Sequence, residues 1–199
     1  MLALVFDLDG TLVQFDRPYD DLLHAAFESV TEDVPEAWME TYNETFFDHF
    51  RACTPAPVAR TAAELEGCPD PTAVADALLA QEVDATQAID AHRAELERLA
   101  DTHQIGVLTN GLPAWQRQKL EATGLEPSVD AFVASYEAGA HKPDVAPYRL
   151  LEERLDASRY AMIGDAATDI EGAKTAGWGT YRYDGGDFAE LPDAIEWDR

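Results

Sequence analysis

The chain opens on an unbroken apolar run, Leu2-Ala3-Leu4-Val5-Phe6, that stops at Asp7-Leu8-Asp9-Gly10-Thr11. Such a run is too short for an ordinary helix, and its lack of polar alternation marks a strand covered on both faces. The strand delivers two carboxylates, a glycine and a threonine to its carboxyl end. Asp-Gly is also an ordinary turn signal, so by itself the segment fits a turn and a site equally. From about Phe15 to Ala100 the apolar spacing becomes helical and no strand is apparent: Leu22, Leu23, Ala26 and Phe27; then Trp38, Met39, Tyr42, Phe46, Phe47 and Phe50; then Val74, Ala77 and Leu78; then a run toward Leu96 and Leu99. Thr31 or Asp33 is placed to cap the second of these helices, with Pro35 in its first turn. From Gln104 short apolar runs at 105–108, 131–134, 160–163 and 178–181 alternate with helical patterns, one at 113–123, one after Asp144 and one ending near Ala176. Repeated strand–helix–strand units of this length predict an α/β fold, a doubly wound parallel sheet with right-handed crossovers. The expected organisation is a Rossmann-like core of residues 1–14 and 101–199 and a small all-helical insertion of residues 15–100, joined through 14–18 and 99–104.

The conspicuous polar residues follow strand ends. Asp7 and Asp9 follow the first strand, Thr109 and Asn110 the second, and Asp165 with Asp169 a later one, while Lys142 lies in a loop before a helix. A doubly wound sheet gathers such loops along one edge, so these residues are expected around one crevice. Crowded carboxylates repel unless a hard cation sits among them, and an oxygen-rich site suits Mg²⁺. Phosphate is the natural guest of a cation, a lysine, a threonine hydroxyl and backbone N–H groups. Taken singly, Asp169 reads equally as an acid favoured by a helix N-terminus, Thr109 as a cap and Lys142 as a surface residue. Their recurrence at successive strand ends is what points to a shared site.

Composition narrows the partners. The 199 residues carry a formal charge of −25, with a pI near 4.2, and Lys119, Lys142 and Lys174 are the only lysines among 14 basic residues. Acid excess along the whole chain suggests a protein of a very salty cytoplasm, because at about 1 M salt the Debye length is roughly 3 Å and self-repulsion is largely screened. The same charge argues against nucleic-acid backbones and anionic membranes as partners, since no basic stripe exists to neutralise phosphates. A phosphorylated small molecule would bind only where local positive charge overrides the global field. The N-terminus lacks a basic signal region, and no apolar run approaches the ~18 residues of a membrane helix, so a cytoplasmic setting is expected. Cys53 and Cys68 lack disulfide-framework spacing and read as free buried thiols.

DLDGT at 7–11, TN at 109–110, KP at 142–143 and GDAATD at 164–169 together resemble, in order and spacing, the four motifs of the haloacid dehalogenase-like hydrolase superfamily. The helical insertion between the first two resembles the cap domain of its phosphoglycolate phosphatase-like branch. The resemblance implies that Asp7 is a nucleophile that becomes an aspartyl phosphate and that Asp9 is the general acid and base. It implies a phosphate-binding role for Thr109, the Asn110 backbone N–H and the turn at Gly10, and charge stabilisation by Lys142. It implies Mg²⁺ ligation by Asp7, the Asp9 carbonyl and Asp165, with Asp169 in support. Asp9 favours phosphoester over carbon–halogen cleavage. A 2-haloacid dehalogenase, a phosphomutase and a non-catalytic binding protein are the alternatives on the same core. Specificity is expected from the insertion, where Arg17, His49, Arg51 and Arg60 are the residues able to meet an anion.

Overall fold

A computed structural model describes residues 1–197; positions 198–199 of the expected core lie outside the described residues, as do the side chains of Asp90 and Ala91. The chain begins with strand β1 (Leu2–Phe6) and a short β2 (Val13–Phe15), then passes through helices α1 (Tyr19–Glu28), α2 (Glu36–Arg51), α3 (Pro57–Glu64) and α4 (Pro71–Ala85). A short β3 (Thr86–Ala88), which pairs with β2, leads into α5 (Asp90–Ala100). There follow β4 (Gln104–Thr109), α6 (Pro113–Ala122), β5 (Ala131–Ala134), α7 (Ser135–Ala138), α8 (Ala146–Glu152), β6 (Arg159–Gly164), α9 (Ala167–Ala176) and β7 (Gly179–Arg182).

Two compact units result, Met1–Gln14 with Gln87–Arg199, and Phe15–Thr86. The first is built on a five-stranded sheet of order β5-β4-β1-β6-β7, in which every pairing is parallel. Because successive residues of a strand face opposite ways, the apolar run of β1 serves two cores at once. Leu4 and Phe6 join Ile105, Val107, Ile163, Leu96, Leu99 and Leu120 on one face. Ala3 and Val5 join Leu108, Met162, Tyr148, Leu151 and Trp178 on the other. The strand order reverses beside β1, which puts the carboxyl ends of β1, β4 and β6 at the topological switch point, where open α/β sheets form their ligand crevice.

The second unit is a helical bundle. Leu22, Leu23, Phe27, Tyr42, Val74 and Leu78 are buried in it, and Phe27 packs on Trp38 and Tyr42 with ring centroids 5.4 and 6.0 Å apart.

Several local expectations are corrected. The boundary expected at 100 falls instead at 86, because α5 places Leu96 and Leu99 in the sheet's core and not among the insertion's helices. Two short strands, β2 and β3, occur where only helical spacing is evident, three residues each being too few to display a period. α2 is capped by neither Thr31 nor Asp33: Pro35 itself occupies the N-cap and the helix starts at Glu36. Phe47 does not pack inward; it is 50% exposed, beneath the Arg51 guanidinium. Cys53 and Cys68 are thiols outside any disulfide among the described residues, and they are only half-buried. Among the described residues no helix is long and apolar enough to cross a membrane.

Candidate active site

Burial alone draws attention to the end of β1. Asp7 is 8% exposed, Lys142 4%, Asp169 0% and Thr109 1%, in a protein whose other charged side chains mostly face solvent. Such groups stay buried only when paired, and here they pair with one another. The Lys142 ammonium donates to Asp7 Oδ1 at 2.8 Å and to the Leu108 carbonyl at 2.9 Å, and it lies 2.7 Å from Asp169 Oδ1. Asp7 and Leu108 thus take two of its three N–H groups, and Asp169 adds an ion pair. Burial pulls the ammonium down, but Asp7 and Asp169 together outweigh it and hold Lys142 above the ordinary lysine value. Burial likewise pushes the Asp7 carboxyl up, with Asp169 and Asp9 adding to the rise and Lys142 opposing it.

Local sequence explains how these groups reach one place. Asp7 leaves β1 with its N–H bonded to the Ile163 carbonyl of β6 at 2.8 Å. Gly10 adopts φ +84°, and a Cβ there would lie 2.6 Å from Asp165 Oδ2, so only glycine lets the first turn approach that carboxylate. Gly164 has the corresponding function for Asp169, whose Oδ2 would stand 2.3 Å from a Cβ at that position. Asp169 sits in the first turn of α9 and accepts from the Ala166 N–H at 3.0 Å, so the ordinary helix-terminal use of an acid and a place in the site are realised together. Its other oxygen, Oδ1, accepts no directed hydrogen bond among the described residues and faces the Lys142 ammonium.

Asp7, Asp165 and Asp169 each offer an oxygen within 4.8 Å of the others. Three carboxylates against one ammonium leave a formal deficit of two charges, and all the side-chain donors are hard oxygens. The set fits a hard divalent cation of the Mg²⁺ type.

The structure brings the second and third motifs to the same edge. Asn110 Oδ1 accepts the Lys142 N–H at 2.9 Å, and its Nδ2 donates to the Lys142 carbonyl at 3.3 Å, so this side chain holds the lysine's backbone from both sides. The loop is further tied by Ser135, whose Oγ accepts from the Gly111 N–H at 3.0 Å and lies 2.6 Å from His141 Nδ1. Thr11, from the first motif, donates to Asp165 Oδ1 at 3.3 Å.

Asp9 is separate from the buried cluster: its side chain is 41% exposed. It is nevertheless held. Lys119 Nζ donates to both its oxygens, at 2.7 and 2.9 Å, and Gln116 Nε2 donates to Oδ2 at 2.6 Å. Gln116 Nε2 also reaches Thr109 Oγ1 at 2.6 Å and the Asn110 carbonyl at 3.2 Å. Gln116 and Lys119 stand outside the residues expected from the sequence. The available signal was their spacing: with Leu120 they make the buried stripe of α6, polar where a core helix is normally apolar.

The arrangement is a buried carboxylate paired with an ammonium, two further acids close enough to share a cation with it, and a separate half-exposed acid, all contributed by the core unit. The family profile of haloacid dehalogenase-like hydrolases matches residues 1–177. The chain belongs to that family. Among relatives of this hydrolase, the pyrimidine 5'-nucleotidase YjjG of Escherichia coli is 38% identical over 89 residues, which is 43% of this chain and 40% of the relative. The phosphoglycolate phosphatase of Rhodospirillum rubrum is 37% identical over 76 residues, or 37% of this chain and 32% of the relative. The aligned stretches thus span no more than two fifths of those two relatives. The crystal structure of a 2-haloacid dehalogenase from Pseudomonas syringae superposes with a TM-score of 0.70 at 25% identity, covering 97% of this chain and 92% of that one.

The insertion's candidate residues are engaged locally. Arg17 pairs with Asp16 and Asp84 and donates to Gln81. His49 lies 2.7 Å from Glu64, Arg51 pairs with Asp48, and Arg60 donates to the Pro55 carbonyl.

Proposed function

We propose that this hydrolase is a Mg²⁺-dependent phosphatase that cleaves small phosphomonoesters through an aspartyl phosphate on Asp7. The observation that carries this reading is the second carboxylate. Asp9 is a separate, solvent-accessible acid beside an already paired Asp7. A phosphate ester's alcohol needs a proton to leave, whereas a halide does not.

In the first step an Asp7 oxygen attacks phosphorus, and the P–O bond to the alcohol breaks as Asp9 gives its proton to the departing oxygen. In the second, water attacks the aspartyl phosphate, Asp9 takes the water's proton, and Asp7 leaves as a carboxylate. The sum is ester plus water to alcohol plus inorganic phosphate, with Asp9 returned to its acid form. Lys142 holds Asp7 in place and offers positive charge to the nucleophile and phosphoryl group. Thr109 accepts from Gln116, which frees its own hydroxyl proton for a phosphoryl oxygen. The Asn110 N–H and the turn at Gly10 supply further donors. Asp7, Asp165, the Asp9 carbonyl and, in support, Asp169 would hold Mg²⁺, which supplies charge neutralisation to the transferring phosphoryl group when bound.

The names of those two relatives suggest pyrimidine nucleoside monophosphates and phosphoglycolate as the first substrates to assay. The charge excess and the scarcity of lysine support a halophilic, cytoplasmic setting, so the assay belongs in concentrated KCl. The expected result is phosphate release from nitrophenyl phosphate and from at least one of these substrates, lost with EDTA. Asp7→Asn should lower the rate by on the order of 10³-fold or more. Metal-independent halide release from a 2-haloacid would establish the dehalogenase reading in its place, and neither release would leave a binding protein.

A further inference from the structure

Gln116 and Lys119 require an explanation that stability does not supply. They lie three residues apart on the inner face of α6, 4% and 3% exposed, where apolar side chains would pack at no desolvation cost. Exchanging a buried ion pair for apolar residues of similar volume is often neutral or stabilising. The burial is also one-sided: the Lys119 side chain is buried and the Asp9 carboxylate it meets is open to solvent.

Their contacts converge on one group. Lys119 Nζ donates to Oδ1 and Oδ2 of Asp9, and Gln116 Nε2 donates to Oδ2. Three acceptors, Asp9 Oδ2, Thr109 Oγ1 and the Asn110 carbonyl, surround that Gln116 atom, which identifies it as the amide nitrogen. One side chain thereby ties the turn after β1 to the end of β4. A carboxylate has about four acceptor positions, so these three contacts leave one for a proton.

We propose that Gln116 and Lys119 are positioning residues that clamp the Asp9 carboxylate in one orientation, so that its remaining lone pair carries the proton to the leaving oxygen and takes it back from water. Asp9 lies in the turn just past β1 with its own side chain 41% exposed, and without these two residues its carboxylate would be open to more than one orientation. Held at two points by groups from a rigid helix, it presents one direction to the reaction, and proton transfer gains the orientation it needs. This rests on the phosphatase reading above and extends it to residues that touch the acid but not the reacting phosphorus.

The test is a leaving-group series on the Mg²⁺-loaded enzyme, with phosphoglycolate as the alkyl ester and dinitrophenyl phosphate as an ester whose leaving group needs no proton. The ratio kcat/KM reports the steps through phosphoryl transfer to Asp7, whereas kcat includes hydrolysis of the aspartyl phosphate. Lys119→Met should lower kcat/KM for the alkyl ester by about 10–100-fold. For dinitrophenyl phosphate kcat/KM should change by less than about threefold, while kcat and KM fall together because the base step is impaired. Lys119→Arg should restore most of the alkyl activity, and Lys119→Met added to Asp9→Asn should cost nothing beyond Asp9→Asn alone. If Lys119→Met does not fold, Lys119→Gln, which removes the charge and keeps a polar side chain at that position, must show the same split. Equal slowing of both esters, or additivity with Asp9→Asn, overturns the clamp while leaving the phosphatase reading intact. A wild-type enzyme that releases no phosphate from either ester overturns both.

Discussion

Individual residues at the sheet edge show how tightly sequence identity is set by neighbouring carboxylates. Gly164 closes β6, and its lack of a side chain admits Asp169, whose Oδ2 would be 2.3 Å from a Cβ there. Real atoms do not approach so closely, and the obstructing atom belongs to a buried acid held by the Ala166 N–H and facing Lys142. Gly164→Ala should therefore push the Asp169 carboxylate out of register with Lys142 and with the cation site. The expected outcome is a loss of Mg²⁺ affinity on the order of 10–100-fold, as when other groups that orient metal ligands are removed. Titrating Mg²⁺ against the thermal unfolding midpoint checks it, and an unchanged titration would contradict the placement. This glycine, with Asp7, Asp9, Asp165 and Asp169, was legible in the sequence as part of a motif. Its reason was not, because the close approach belongs to the folded backbone.

At the scale of elements, the sheet strands were legible because buried strands leave continuous apolar runs, and the core helices because they carry apolar residues at helical spacing. α5 was legible as a helix and misplaced as to unit, since Leu96 and Leu99 face inward whichever partner they meet. What attaches α5 to the core is distant in sequence. His92 stacks on Phe188 with ring centroids 4.2 Å apart, and its Nε2 lies 3.1 Å from both the Gly186 carbonyl and the Tyr183 hydroxyl. Burial pulls the His92 imidazole below the ordinary histidine value, more strongly than the nearby carbonyls and the carboxylates Asp187 and Glu95 raise it. The folded protein thus takes up this proton at lower pH than the unfolded chain, whose histidines titrate near 6.5. Between those two values the unfolded state binds more protons, so stability falls as pH drops through the window and recovers as pH rises. His92→Gln keeps a polar side chain and removes the titration. Denaturant midpoints measured from about pH 7 to about pH 5 should decline less steeply in the variant than in the wild type. Parallel slopes would show that His92 is not the responsible group.

For the whole molecule the governing quantity is the charge of −25, and its use of lysine sharpens the point. Of the three lysines, Lys142 and Lys119 are both buried against carboxylates of the candidate site. The surface is left to Lys174, the arginines and a large excess of acids, so the native state carries self-repulsion that its surface pairs do little to offset. Those pairs, such as Arg51 with Asp48 and Arg149 with Glu152, are exposed or half-exposed, and each contributes about 0–1 kcal/mol before screening. Added salt weakens both these attractions and the repulsion. The repulsion wins the comparison because it sums over the whole chain, while the pairs are few and individually small; the buried Lys142–Asp7 pair is screened much less than either. The unfolding midpoint should therefore rise with KCl, most steeply between about 0.1 and 1 M, where the Debye length contracts from ~10 to ~3 Å. An uncharged osmolyte at equal osmolality should not reproduce the steep portion, since it excludes volume without screening charge. A midpoint that is flat in KCl, or that rises equally with the osmolyte, would show that self-repulsion does not limit the stability of this fold.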